Sequence, residues 1–200
     1  MDSSDGFFSE EELDALVTRF RNTVEQDANE YFEADELEAI ADALLKRDDI
    51  VLAKSAIDYG YTMYPDNEDF QILDIHYHVL DNRSDSAEQL ARNFIDRHPD
   101  NVEVRLVLAS ILSDHGNHRD ALDLLEQARE LDPGSEHAIT SLSMEYQVLG
   151  QHRKAIDLYR EILERDPDDE FALNELVFVY EVANEITEAI RFLTDFTDQY

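Results

Sequence analysis

Cysteine is absent from the 200 residues, which removes disulfides, thiolate metal ligands and a cysteine nucleophile together. Glycine and proline are scarce, at 5 and 4 residues, so the chain is neither low-complexity nor loop-dominated. No apolar run approaches the roughly 18 uninterrupted residues of a membrane helix. Met1-Asp2-Ser3-Ser4-Asp5-Gly6 has neither the basic start nor the apolar stretch of an export signal. The expected location is therefore cytoplasmic. Basic residues are few as well: 16 against 48 acidic ones, a net charge of -32. Nucleic acid and anionic membrane surfaces need Lys and Arg to displace counterions, so neither is an expected partner. A basic partner would be steered in, although the same charge also serves solubility by itself.

What is present favours helix. The helix formers Ala, Leu, Glu and Arg are well represented, hydrophobic residues make up 43%, and the length suits one sizeable domain. The four prolines are Pro65, Pro99, Pro133 and Pro167, each 34 residues from the next. An alanine stands 12 residues before each: Ala53, Ala87, Ala121 and Ala155, continued at Ala189. Four residues after each alanine come Ile57, Ala91, Leu125, Tyr159 and Leu193, and nine before it Leu44, His78, Leu112, Tyr146 and Tyr180. Small residues let helices approach, large ones fill the adjoining gap, and a proline ends the second helix of each unit.

These columns resemble the tetratricopeptide repeat, whose pattern is Trp-x2-Leu-Gly-x2-Tyr, then Ala-x3-Phe, then Pro. The fourth copy carries Ile139, Leu142, Ser143, Tyr146, Ala155, Tyr159 and Pro167; the third carries Leu108, Ala109, Leu112, Gly116, Ala121, Leu125, Ala128 and Pro133. The fifth has Leu173, Leu176, Tyr180 and Ala189, the first Leu37, Ile40, Ala41 and Leu44. The second departs, with Gln71, Asp74 and His78 in apolar columns. A one-residue shift of its first helix turns Phe70, Leu73 and Tyr77 inward instead. The resemblance implies an all-α, right-handed superhelical solenoid of five helical hairpins behind an N-terminal capping helix.

The expected organisation is a disordered N-terminus (1–8), a capping helix and linker (9–33), and repeats at 34–67, 68–101, 102–135, 136–169 and 170–200. Ser9-Glu10-Glu11-Glu12 reads as a capping box, with Phe8 and Leu13 as its hydrophobic staple. First helices are expected near 35–47, 68–81, 102–115, 136–149 and 170–183, second helices near 49–63, 85–97, 119–131, 153–165 and 186–199. The last helix presents Ile190, Leu193 and Phe196 with nothing after it. The expectation is a natural chain that continues, or a homodimer in which two such ends cover each other.

The resemblance also implies that first helices line a concave face. Their five windows hold fifteen acidic residues and three basic ones, Lys46, Arg47 and Arg105. Groove positions carried over singly are Glu38 and Asp42, Ile72 and His76, Leu106 and Ser110, Thr140 and Met144, Asn174 and Phe178. Met144 and Phe178 are suited to grip an apolar side chain, or else pack against neighbouring repeats. Chaperone-binding relatives clamp a terminal carboxylate with Lys, Asn and Arg. Glu38 and Asp42 would repel one, and only Asn174 is of a suitable type.

Other chemistry finds little support. His76 and His78 point to different faces of a helix. His115 and His118 flank a turn, but spacing offers no third metal ligand. Asp27, Asn29, Glu33, Asp35 and Glu38 loosely follow a calcium loop whose required glycine is Phe32. No nucleophile elbow or phosphate-cradling glycine loop occurs. The expectation is a scaffold or adaptor with no enzymatic activity, no cofactor and no metal, binding a basic or amphipathic segment in an acidic, apolar groove. The alternative is a structural or self-association module of a longer chain, without a peptide ligand.

Overall fold

The structure, a computed structural model, describes residues 8–199, with side chains to 197. The expected disorder of residues 1–7 lies outside the described residues. Eleven helices and no strand occur among the described residues. They divide into two compact units, residues 1–97 and 98–200.

The first unit holds α1 (Glu10–Glu25), α2 (Ala34–Lys46), α3 (Ile50–Met63), α4 (Asp69–Leu80) and α5 (Ser84–Arg97). The capping box forms: the Glu12 amide donates to Ser9 Oγ at 3.4 Å, and the Ser9 amide to Glu12 Oε2 at 2.8 Å. That backbone donation holds the Glu12 carboxyl below its usual pKa. Phe8 and Leu13 pack, half-buried, against a core of Phe20, Phe32, Leu37, Ile40, Leu44 and Ile57. α1 therefore lies on α2 and α3.

The second unit holds α6 (Val102–Asp114), α7 (His118–Leu131), α8 (Glu136–Val148), α9 (His152–Arg165), α10 (Glu170–Val182) and α11 (Ile186–Gln199). α8 sits against α6, α7 and α9, and α10 against α9 and α11. Leu108, Leu112, Leu125, Ile139, Leu142, Tyr159, Leu163 and Leu176 are buried. Ala53, Ala87, Ala121 and Ala155 are wholly buried, as close helix approach requires.

Local chemistry explains the periodic boundaries. Each proline lacks an amide to continue the helix before it and biases its predecessor toward extended backbone. Two residues after each comes a capping side chain. Asn101 accepts from the Val104 amide at 2.8 Å, Ser135 from Ala138 at 3.2 Å, Asp169 from Ala172 at 2.9 Å and Asn67 from Asp69 at 2.8 Å. The turns inside the pairs repeat too. Asp48, Asn82, Gly116, Gly150 and Asn184, spaced by 34, all have positive φ, between 56° and 77°. In each, the next amide reaches back to the carbonyl five residues earlier, as Asn117 does to Leu112 at 2.8 Å and Gln151 to Tyr146 at 2.7 Å. This is the Schellman closure, which satisfies carbonyls the helix leaves unpaired.

In the second pair Phe70 and Tyr77 are buried and Leu73 packs against the core, but the helix is not shifted: Ile75, in register with Ala41, Ala109 and Ser143, is buried too, and Asn82 keeps the 34-residue spacing of the turns. Asp74 therefore stands in the column of Ile40, Leu108, Leu142 and Leu176. Its carboxylate accepts from Lys54 Nζ at 3.0 Å, and Lys54 also pairs with Asp58 at 2.9 Å. Burial pulls the Lys54 pKa down, but the two carboxylates outweigh it and the net shift is upward.

Tyr61, Tyr146, Tyr159 and Tyr180 all have raised pKa values, chiefly through burial, Tyr146 to about 12. An unfolded tyrosine titrates near pH ~10. The fold favours the neutral phenol, so this contribution to stability is complete below about pH 10 and is lost as pH rises through the folded values. Melting temperature is expected to fall steadily from pH 10 upward. Tyrosinate absorbance reaching its midpoint near pH 10 in the folded protein would contradict this.

Candidate functional site

In the first unit the exposed chemistry of the first helices is acidic. Glu38 and Asp42 lie one turn apart on α2, which packs against α4. Asn67 Nδ2 donates to Glu38 Oε1 at 2.5 Å, and Lys46 Nζ to Asp42 Oδ2 at 2.7 Å. Burial raises the Glu38 pKa; the Asn67 contact opposes this, and the charges of Asp69 and Asp35 add to it. A cation brought to this place would relieve the repulsion among these carboxylates. Ile72 and His76, one turn apart on α4, are partly buried.

The three basic residues of these windows all have partners, Lys46 on the groove acid Asp42 itself. Besides Lys46, Arg47 pairs with Asp14 at 2.6 Å. Arg105 is buried, donating to Gln127 Oε1 at 2.6 Å and to the Pro99 carbonyl.

In the second unit the first helices offer apolar surface. Met144 is 48% and Phe178 50% exposed, too open for a purely internal packing role. Thr140 and Asn174 stand one turn before them, partly and fully exposed. Two residues the sequence reading missed lengthen both stripes: Val148 follows Met144 by a turn, Val182 follows Phe178, and both are exposed. Continuing the four-residue step would have found them. Gln147 Nε2 donates to Glu175 Oε2 at 3.0 Å and ties α8 to α10 beside the stripes. Ser110 is exposed on α6, whereas Leu106, only 8% exposed, offers a ligand almost no surface.

Residues weighed for metal chemistry have other employment. His118 Nδ1 lies 3.1 Å from Glu145 Oε2, and Ser113 Oγ donates to the other oxygen of that buried carboxylate. His78 Nε2 lies 3.9 Å from Asp74 Oδ1. Asn29 Oδ1 accepts from Tyr59, Glu33 and Glu36 cap α2, and Phe32 is fully buried.

The end of the second unit interrupts the pattern. Ile190 is 62% exposed, while Ile156, one period earlier, is 1% exposed beneath α10. Leu193 and Phe196 are only partly open, Phe196 stacking on Phe192 at 5.6 Å.

Two family models, each described as a tetratricopeptide repeat, match residues 78–142 and 142–169. No curated protein matches the sequence. Among solved structures, a MamA protein is similar at 19% identity and TM-score 0.67, over 82% of this chain and 90% of that one. TTC0263, a thermophilic TPR protein of Thermus thermophilus, is similar at 17% identity and TM-score 0.66, over 84% and 91%. A structure of Naa15/Naa10 bound to HypK-THB is similar at 13% identity and TM-score 0.67, over 84% of this chain and 25% of that one. At these identities the likeness is one of fold.

Proposed function

We propose that this chain, which belongs to the tetratricopeptide-repeat family, is a scaffold whose first helices hold a basic or amphipathic segment of another protein. The single observation carrying this reading is the exposed apolar pair Met144 and Phe178, extended by Val148 and Val182 on α8 and α10. Such stripes suit the apolar face of a helix or an extended peptide. The first unit, taken by itself, offers Lys or Arg negative charge at Glu38 and Asp42 on α2. No catalytic constellation or cofactor enters this reading.

A fluorescent amphipathic peptide rich in Lys and Leu tests it by anisotropy. Glu38→Lys with Asp42→Lys is expected to weaken binding about tenfold, and Phe178→Asp by at least as much, hot-spot aromatics typically costing ~2 kcal/mol or more. Arg153→Glu should leave binding unchanged. Affinity should fall as salt is raised, because exposed charges are screened. Unchanged binding in both groove variants would sink the proposal. Light scattering on the same samples reads the alternative: the exposed Ile190 favours self-association through α11, and a dimer without peptide binding would select it.

A further inference from the structure

A second surface of α8 forms a different kind of site. Leu142 and Tyr146 lie two residues from Thr140 and Met144, and that spacing turns side chains to different faces of the helix. They floor a crevice of about 470 Å³ between α7, α8 and α9, a volume within the range of small-ligand sites. Glu126, Glu130 and Asp157 stand at its rim, and Leu158 forms a wall. The Tyr146 hydroxyl donates to Glu126, which fixes the ring. Over that ring, 4.5 Å from its centroid, sits the ammonium of Lys154. Arg129, the other cation of the lining, is drawn to Glu161 at 2.5 Å. Three carboxylates thus line the crevice in which one lysine of the chain itself covers an aromatic face.

We propose that this crevice binds a primary alkylammonium group, with Lys154 as the internal occupant that a ligand displaces. The aromatic face supplies cation–π attraction, the carboxylates accept N–H bonds, and the leucines pack the alkyl stem. General acidity does not account for the arrangement, because the next period carries the reverse. There Tyr180 takes the place of Tyr146, and a crevice of about 240 Å³ between α9, α10 and α11 has Arg160 for Glu126, Glu188 for Lys154 and Arg191 for Asp157. Three charged corners have changed sign, while Glu130 is matched by Glu164. Arg160 lies over Phe192 at 4.6 Å, so a guanidinium of the chain covers that aromatic face.

Spermidine and an N-acetylated, C-amidated Gly-Lys-Gly peptide, titrated at fixed ionic strength and followed by amide NMR shifts, test the site. Shifts are expected to centre on residues around Tyr146. Lys154→Ala should tighten both probes about three- to tenfold, the value of a cation–π contact released to the ligand. Tyr146→Leu added to Lys154→Ala should remove that gain, and Glu126→Gln should weaken binding should the leucine variant fail to fold. Arg191→Ala, in the reversed crevice, should change nothing. Stronger binding of the peptide would name a protein lysine as the source of the ammonium, stronger binding of spermidine a free polyamine. Equal affinity of wild type and Lys154→Ala, or shifts spread evenly over the acidic surface, would overturn the proposal.

Discussion

Replacing Phe32 by alanine is expected to destabilise the first unit by about 3–5 kcal/mol, the usual range for deleting a fully buried aromatic ring. Phe32 lies in the connection between α1 and α2, where a side chain is ordinarily free. Here it is wholly buried, edge-on to Phe20 at 5.5 Å and to Tyr59 at 6.1 Å. The Arg19 guanidinium covers it at 4.1 Å, and the Tyr64 hydroxyl donates to its carbonyl at 2.7 Å. Without the ring, α1 loses its main reason to lie on α2. For a unit of this size the change corresponds to a fall in melting temperature of at least roughly 12 °C. Tyr31→Ala, one residue away on an exposed side chain, is the control and should cost less than about 1 kcal/mol. Urea denaturation measures both, and near-equal midpoints would show that Phe32 does not hold the connection.

The second large effect opposes two known tendencies. Gly60 is inside α3, where alanine ordinarily gains about 1 kcal/mol over glycine. A Cβ at that position would stand 2.3 Å from Phe70 Cε1 and 2.5 Å from two more ring carbons. Phe70 is fully buried and has no free space to enter. Overpacking of this kind costs about 1–3 kcal/mol or more, so Gly60→Ala is expected to be destabilising despite its better helix propensity. Phe70→Leu should restore part of the loss, a coupling read from a double-mutant cycle. A stabilised Gly60→Ala protein would mean that α4 moves away freely.

The same pair explains what was legible in the sequence. Where Gly60 faces Phe70 in the first unit, the corresponding columns of the second hold Ile162 and Ala172. The second copy looks out of register when read against a fixed pattern because Gln71, Asp74 and His78 stand in the columns of Leu37, Ile40 and Leu44. Identical letters at fixed spacing, proline and alanine, located helix ends closely because each letter has one physical consequence. The turn positions Asp48, Asn82, Gly116, Gly150 and Asn184 share only tolerance for left-handed backbone, so three letters hide one requirement. Candidate groove residues followed from the family pattern, but exposure depends on neighbours: Leu106 is covered while Val148 and Val182 are open. The stacking of Lys154 on Tyr146 needs side-chain directions from two helices, which no linear period encodes.

Those five equivalent turns carry a consequence for how such a chain can change. Removing residues 117–150 would bring Gly116 directly before Gln151, just as Gly150 precedes it now, with identical local backbone on either side of the splice. A cut that is not a multiple of 34 residues would join unlike stretches and put apolar columns out of step. Gain and loss of whole hairpins is therefore the cheapest route by which this architecture can grow or shrink, leaving the remaining joints as they were.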